Sequence, residues 1–166
     1  GIWNAFGGAP AVSEYNTNNP RTGAQHLHLD MDTNPFVFTG VYQDVNVMAG
    51  DQVTFTGWHL AMTDGGVAGI EVTIEWHDLG TGGGQISVSR IEPEAGFDYE
   101  MFTLTDTAPT GVDTARIVYS LQSFSGAKNA SVHADDFSVV VVPEPGAGAL
   151  LALGMLGLSF RRSRKS

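Results

Sequence analysis

Apolar and polar side chains alternate with a period of two along much of the first 142 residues. The clearest run is 70–77, where Ile70, Val72, Ile74 and Trp76 share one face of an extended chain and polar residues occupy the other. Such alternation is typical of a half-buried β-strand. No segment of this region keeps a helical period of 3.6 residues, so the pattern predicts an all-β domain.

The alternating segments are short, rich in Val, Ile, Thr and aromatic residues, and separated by turns that contain Gly, Asp or Pro. The predicted strands cover 24–31, 41–47, 52–58, 70–77, 86–88, 101–105, 115–121 and 131–142. About eight strands in one domain of this length predict a two-sheet β-sandwich, or jelly roll, over residues 1–142.

Residues 143–166 have a different composition from the rest of the chain. They begin with a turn-forming acidic triplet and continue with an uncharged apolar run over 146–160. The segment ends with the basic residues Arg161, Arg162, Arg164 and Lys165. The apolar run predicts a C-terminal hydrophobic helix, and at about 1.5 Å per residue it needs flanking residues to cross a membrane. A buried core helix with a basic end is the alternative, but no core is predicted around it.

The triplet Pro143, Glu144 and Pro145, followed by the apolar run and the basic end, resembles the PEP-CTERM sorting signal of Gram-negative bacteria. The resemblance implies processing by an exosortase, which is a membrane protease. It also implies export to the cell envelope, the cell surface or the extracellular matrix, with membrane contact through the helix before processing. The positive-inside bias independently places the basic end in the cytoplasm and the sandwich on the opposite side.

The charge distribution excludes one large class of partners. All 18 acidic residues precede residue 146 but only four basic ones do, so residues 1–145 carry a net charge of −14. Such a domain repels nucleic acid and anionic membrane surfaces. The chain contains no cysteine, which excludes disulfides and thiol chemistry.

The first residues, Gly1-Ile-Trp-Asn4, have neither an initiator Met nor the basic and apolar regions of a signal peptide. We therefore expect the sequence to be a processed or truncated product from which an N-terminal strand is missing.

Several short pieces occur in the order found in galactose-binding-like jelly rolls, the fold of many carbohydrate-binding modules. The pieces are 1–3, 22–25, 41–54, 108–118 and 135–139. The resemblance implies a structural Ca²⁺ site built from Asp136, its neighbour Asp135, and Thr22, Gly23 and Gln25. Oxygen ligands of this kind suit Ca²⁺. The alternative is a solvated acidic strand end.

The segment 25–32 places His26, His28, Asp30 and Asp32 on one face of a strand. His and Asp together can bind a transition metal, but alternate residues of one strand lie ~7 Å apart and four of them cannot converge. We interpret this side as a solvated strand face.

Exposed aromatic rings beside polar side chains are the usual binding surface for sugars. Trp58 is out of phase with the inward residues Val53 and Phe55, so Trp58 and His59 are candidate ligand-binding residues. Trp3, Tyr15 and Tyr99 fall near loops and are further candidates, whereas Trp76 lies in phase with the core residues.

No catalytic motif is recognisable, whether a serine elbow, a phosphate-binding loop or a zinc helix. The sequence therefore favours a non-enzymatic exported protein that binds carbohydrate or exopolysaccharide. A structural or adhesive surface protein without a small ligand is the alternative, and a small secreted hydrolase is a third.

Overall fold

The computed structural model describes residues 2–7, 12–31, 37–61, 68–80, 84–123 and 130–144. Ten strands lie in these ranges: β1 (Asn4–Gly7), β2 (Val12–Asn16), β3 (His26–Met31), β4 (Phe38–Asn46), β5 (Gln52–Ala61), β6 (Ala68–His77), β7 (Gln85–Ile91), β8 (Glu100–Thr107), β9 (Thr114–Ser123) and β10 (Ala130–Val142).

The strands form two five-stranded antiparallel sheets, in the orders β1-β4-β9-β6-β7 and β2-β3-β10-β5-β8. The all-β sandwich predicted from the alternating pattern is therefore confirmed. The predicted hydrophobic helix at 146–160 lies outside the described residues. In the described part of the chain, no helix has the length and apolar character that crossing a membrane requires.

The core lies between the sheets and is built by the alternation already visible in the sequence. Val53 and Phe55 of β5 and Val72 and Ile74 of β6 have no exposed surface. Each such side chain contributes roughly 1.5–3 kcal/mol when it leaves water. Trp76 is buried as predicted, and its indole N–H donates to Asp106 over 3.0 Å.

The sequence-based prediction missed β1 and β2. Both strands lie at sheet edges, where among the described strands β1 pairs only with β4 and β2 only with β3. Short edge strands have one unpaired side and little of the apolar alternation that marks a central strand. They contact each other across the sandwich and close the edge beside which the candidate site lies.

A β-bulge interrupts the pairing of β10 with β5 between Asp135 and Ser138. Asp136 takes a left-handed backbone conformation there (φ 51°), which Asp tolerates better than most residues. Gly57 of β5 faces the bulge, and a Cβ at this position would lie 2.5 Å from both Phe102 and Phe137. The bulge thus directs Asp136 away from the ladder toward the 17–25 loop.

Candidate functional site

The loop between β2 and β3, residues 17–25, is held by the carboxylate of Asp135. One oxygen of Asp135 accepts the backbone N–H groups of Arg21 (2.8 Å) and Thr22 (3.1 Å). The other oxygen accepts the backbone N–H of Asp136 (2.8 Å). Two N–H donors of the loop thus share this carboxylate with one donor of the bulge, which fixes the loop against β10.

Asp136 binds the same loop through side chains. Its carboxylate accepts hydrogen bonds from the guanidinium of Arg21 and the hydroxyl of Thr22. The hydrogen bond from Thr22 and then the contact with Arg21 lower the pKa of Asp136. This carboxyl is therefore ionised at neutral pH and its charge is balanced by Arg21.

Tyr99 secures the loop from the other side. Its hydroxyl donates to the backbone carbonyl of Asn19 over 2.8 Å. Burial, and then the nearby charges of Asp135 and Asp136, raise the pKa of Tyr99 to about 12, so the phenol stays neutral and remains a donor.

A pocket of about 320 Å³ lies beside this loop at the edge of the sandwich. Its walls come from both sheets, and the residues that line it are Trp3, Tyr15, Gln25, His26, Leu27, Val41, Ala134, Asp135, Asp136 and Phe137. Two aromatic rings, an amide, two carboxylates and an imidazole thus meet around one apolar floor. A site of this size and composition can hold a small polar ligand.

The aromatic part of the pocket rests on the core. The ring centroid of Trp3 lies 5.1 Å from that of Phe137 and 5.9 Å from that of Phe55. Tyr15 is 66% exposed at the edge strand β2. One ring is therefore fixed by packing, whereas the other presents most of its surface to solvent.

Three histidines meet on the outward face of β3 and β10 beside the pocket. A ring nitrogen of His26 shares a hydrogen bond with one of His133, and the ring centroids are 4.4 Å apart. His28 lies opposite His133 and hydrogen-bonds to Ser131 over 2.8 Å. His26 is buried, so the prediction that this face of 25–32 is solvated is wrong for that residue, and His133 is buried beside it.

Two of these histidines, His26 and His133, are neutral at neutral pH. Burial is the main cause that lowers the pKa of His26, and the charge of Asp135 opposes it in part. Burial and the two neighbouring imidazoles lower the pKa of His133 to about 4. The Nδ1 atom of His26 is buried and has no hydrogen-bond partner within the ranges the structure describes.

The structure gathers most of the predicted site residues around this loop, with two departures. His59 is 1% exposed and faces the core, where its Nδ1 hydrogen-bonds to the Tyr119 hydroxyl over 3.1 Å. This burial corrects the prediction that His59 lies on a ligand-binding surface. Trp58 does lie on the outward face, but the Arg21 guanidinium covers its ring at 3.7 Å.

The predicted calcium ligands Thr22, Asp135 and Asp136 lie together, with Gly23 and Gln25 in the same loop. The two carboxylates are, however, engaged by N–H groups, by a hydroxyl and by Arg21. Among the described residues no group of three His, Cys, Asp or Glu side chains is placed to hold a metal ion. Without displacement of Arg21 this arrangement does not fit Ca²⁺, and calcium binding stays a prediction.

The sequence analysis did not single out Arg21 or His133. Arg21 is an isolated basic residue in a polar loop, and its contacts lie 114 and 115 positions away along the chain. His133 meets His28 only through the register of β10 with β3. Neither residue carries a local sequence signal that could have marked it.

The predicted sorting segment begins directly after the last paired residue. Val142 pairs with Gln52, and Pro143 and Glu144 follow with exposed side chains. The Glu144 carboxylate lies so close to Gly50 that a Cβ there would be 2.1 Å from it. Pro145, Arg161, Arg162, Arg164 and Lys165 lie outside the described residues.

Residues 141–165 match the family model of the PEP-CTERM protein-sorting motif. The chain carries a PEP-CTERM sorting motif. The motif implies an exported, surface-sorted protein that is processed by an exosortase.

The sandwich is similar to carbohydrate-binding modules. A family 16 carbohydrate-binding module shares 16% identity at a TM-score of 0.60, with 80% of this chain and 87% of that chain covered. A family 4 module shares 18% identity at a TM-score of 0.58, with coverages of 84% and 94%. Identities this low show the fold alone.

The same fold also occurs within larger enzymes. The enzymatically active domain of tailspike protein 4 from bacteriophage CBA120 shares 13% identity at a TM-score of 0.62. The match covers 85% of this chain, which spans only 19% of the tailspike chain. No curated protein sequence matches the chain.

Proposed function

We propose that this exported domain binds carbohydrate in the pocket between Trp3, Tyr15 and the 17–25 loop, without catalysing a reaction on it. The observation that carries the proposal is the meeting of two aromatic rings with an amide and two carboxylates in one pocket. Sugars offer a C–H face that packs on an aromatic ring and a rim of hydroxyls that need polar partners.

The roles of the wall residues follow from their exposure. Tyr15 provides the open face on which a sugar ring stacks, and Trp3 closes the inner end. Gln25 can donate to and accept from hydroxyls, whereas Asp135 and Asp136 can only accept. Each carboxylate oxygen has two lone pairs, so Asp135 keeps an acceptor site beside the N–H of Asp136.

The 17–25 loop is held in place by contacts within the protein that need no ligand. Asp135, Asp136 and Tyr99 fix it at Asn19, Arg21 and Thr22, so a ligand does not have to order it. A pocket that is already formed avoids part of the entropy cost of binding. This supports a binding site rather than a loop that closes over a reaction.

The non-enzymatic part of the proposal is supported by how the carboxylates are used. A pair that works as acid and base needs two carboxyls in different environments, with one free to accept a proton. Asp136 is held ionised by Thr22 and Arg21, and Asp135 accepts three backbone N–H groups. Both are committed to the fold of the loop.

Location completes the proposal. The sorting motif takes the domain to the surface of the cell, which we propose to be a Gram-negative bacterium, where exopolysaccharide is the available polymer. The sandwich shares its fold with carbohydrate-binding modules. Identities this low do not indicate which ligand this chain binds, and it is the composition of the pocket that supports a sugar ligand.

The test is a polysaccharide-array screen of the full chain beside two alanine variants. Tyr15→Ala removes the open ring of the pocket. Phe38→Ala is the matched control, since Phe38 is a 50% exposed strand aromatic that does not line the pocket. We expect binding to a defined glycan class, lost in Tyr15→Ala and kept in Phe38→Ala. No binding to any glycan by a folded protein would overturn the proposal.

A further inference from the structure

The charge of the pocket wall is negative and only partly balanced. Asp135 and Asp136 line the pocket, and its described lining residues include no Lys or Arg. Arg21 pairs with Asp136. Within the described ranges no Lys or Arg forms an ion pair with Asp135, whose contacts are backbone N–H groups.

The imidazole in the wall does not offset this charge. His26 is 2% exposed, and burial lowers its pKa, so the ring is neutral at neutral pH. The charge of Asp135 acts on the rings around it, since it opposes the lowering at His26 and adds to the raising at Tyr99. The charge of Asp135 therefore reaches His26, which lines the pocket.

We propose that the pocket selects sugars that donate hydrogen bonds and carry no negative charge, with protonated amino sugars bound most tightly, and that Asp135 sets this selectivity. The inference rests on the proposed carbohydrate site and names the class of ligand for it. Carboxylates accept hydrogen bonds but cannot donate them, so hydroxyl and ammonium groups are their natural partners. A uronate would place a second carboxylate beside Asp135.

The size of the effect follows from Coulomb's law in a partly solvated site. Two unit charges about 7 Å apart, at an effective dielectric constant of about 35 to 80, change the binding constant about three- to tenfold. The binding constant of a sugar rises by this factor when the sugar carries an ammonium group, and it falls by the same factor when the sugar carries a carboxylate. The net charge of the whole domain adds a weaker, salt-screened contribution of the same sign.

The experiment compares pairs of oligosaccharides in which a change of one substituent on the sugar changes the charge. Oligomers of glucosamine and of N-acetylglucosamine form one pair, and oligomers of galactose and of galacturonate form the other. Affinities for the full chain are measured by calorimetry at about pH 6. We expect glucosamine to bind about three- to tenfold more tightly than N-acetylglucosamine, and galacturonate more weakly than galactose by a similar factor.

Variants assign the effect to the pocket. Asp135→Asn should bring both affinity ratios close to one. Glu92→Gln removes the same charge from an exposed position that does not line the pocket, and should leave both ratios unchanged. Because Asp135→Asn removes contacts that hold the loop, Gln25→Lys is the second variant, since Gln25 is exposed and lines the pocket. Its ammonium balances the charge of Asp135 while the contacts of Asp135 with the loop are kept, so this variant should also bring both ratios close to one.

The outcomes separate this inference from the proposed function. Failure of every oligosaccharide to bind would remove the carbohydrate site itself. Binding without discrimination by charge, or tighter binding of galacturonate than of galactose, would overturn the selectivity while leaving the site. Equal changes in Asp135→Asn and Glu92→Gln would show that the net charge of the domain, not the pocket, is responsible.

Discussion

Two Trp-His pairs occupy opposite environments in the two sheets. In β6, Trp76 is 1% exposed and packs in the core, where its indole donates to Asp106. In β5, Trp58 lies on the outward face under the guanidinium of Arg21, and it is His59 that faces the core. The same two residue types occur in the same order, yet the tryptophan lies in the core in β6 and contacts the 17–25 loop in β5.

The difference comes from the phase of each strand. In β6 the inward positions are even-numbered and end at Trp76, whereas in β5 they are odd-numbered and run from Val53 to His59. Gly57 lies on the inward side just before Trp58 and makes room for Phe102 and Phe137. Whether a tryptophan lies in the core or on the outward face therefore depends on the phase of its strand. Four predictions test this contrast.

The largest expected effect is the loss of the inward tryptophan. Trp76→Ala removes a fully buried indole and leaves a cavity, so we expect the free energy of unfolding to fall by about 3–5 kcal/mol. Trp58→Ala, the matched change on the outward face, should cost less than half as much. Urea unfolding of both variants measures the difference, and equal losses would contradict the contrast between the two faces.

Gly57→Ala tests the packing that sets the phase of β5. The added Cβ would lie 2.5 Å from atoms of Phe102 and Phe137. Overpacking of this kind lowers stability by about 1–3 kcal/mol. Gly84→Ala is the control, since nothing lies within 4 Å of a Cβ there. Unchanged stability of Gly57→Ala would show that the rings move aside freely.

The inward histidine makes stability depend on pH. Burial lowers the pKa of His59 to about 4 in the folded chain, from an ordinary value of 6.5. The unfolded chain therefore takes up the proton first, and stability that is complete above pH 6.5 is lost as the pH falls toward 4. His133 acts in the same direction.

We expect His59→Gln to flatten the profile between those pH values, by about 1–2 kcal/mol. Urea unfolding of wild type and variant at matched pH values gives the difference directly. His77→Gln, the matched change beside Trp76, is the control variant. If the unfolding free energy of His59→Gln depends on pH as steeply as that of the wild type, His59 is not the cause of the pH dependence.

The smallest expected effect concerns Arg21 on the outward face. Arg21→Ala removes the contact over Trp58 and the partner of Asp136, and should lower stability by about 0.5–1 kcal/mol. The same variant leaves the Asp136 charge without a balancing cation. We therefore expect Ca²⁺ to leave the melting temperature of the wild type unchanged and to raise that of Arg21→Ala. A rise in the melting temperature of the wild type with Ca²⁺ that EDTA removes would instead support the calcium site predicted from the sequence.

The sequence predicted those features that depend on neighbours along one strand. The inward face of β6 follows from the alternation of Ile70, Val72, Ile74 and Trp76, and all four are buried. The sorting motif is equally local, and it was found at 143–166 where the family model matches 141–165.

Alternation did not predict features that depend on register between distant strands, and only the resemblance to jelly rolls placed Thr22 beside Asp135 and Asp136. Arg21 reaches Asp136 across 115 positions, and His133 meets His26 across 107. The pocket likewise joins Trp3 to Asp135 from opposite ends of the domain. Alternation fixes which side of a strand a residue occupies, but it does not say which strands become neighbours or where a loop is attached.

The most direct test of the account is calorimetric titration of the best array glycan into the wild type, Tyr15→Ala and Trp58→Ala. The account predicts that Tyr15→Ala abolishes binding, because Tyr15 lines the pocket, and that Trp58→Ala keeps it within a few-fold of wild type, because Trp58 does not. Loss of binding in Trp58→Ala with wild-type affinity in Tyr15→Ala would place the site on the outward face of β5 and contradict the account.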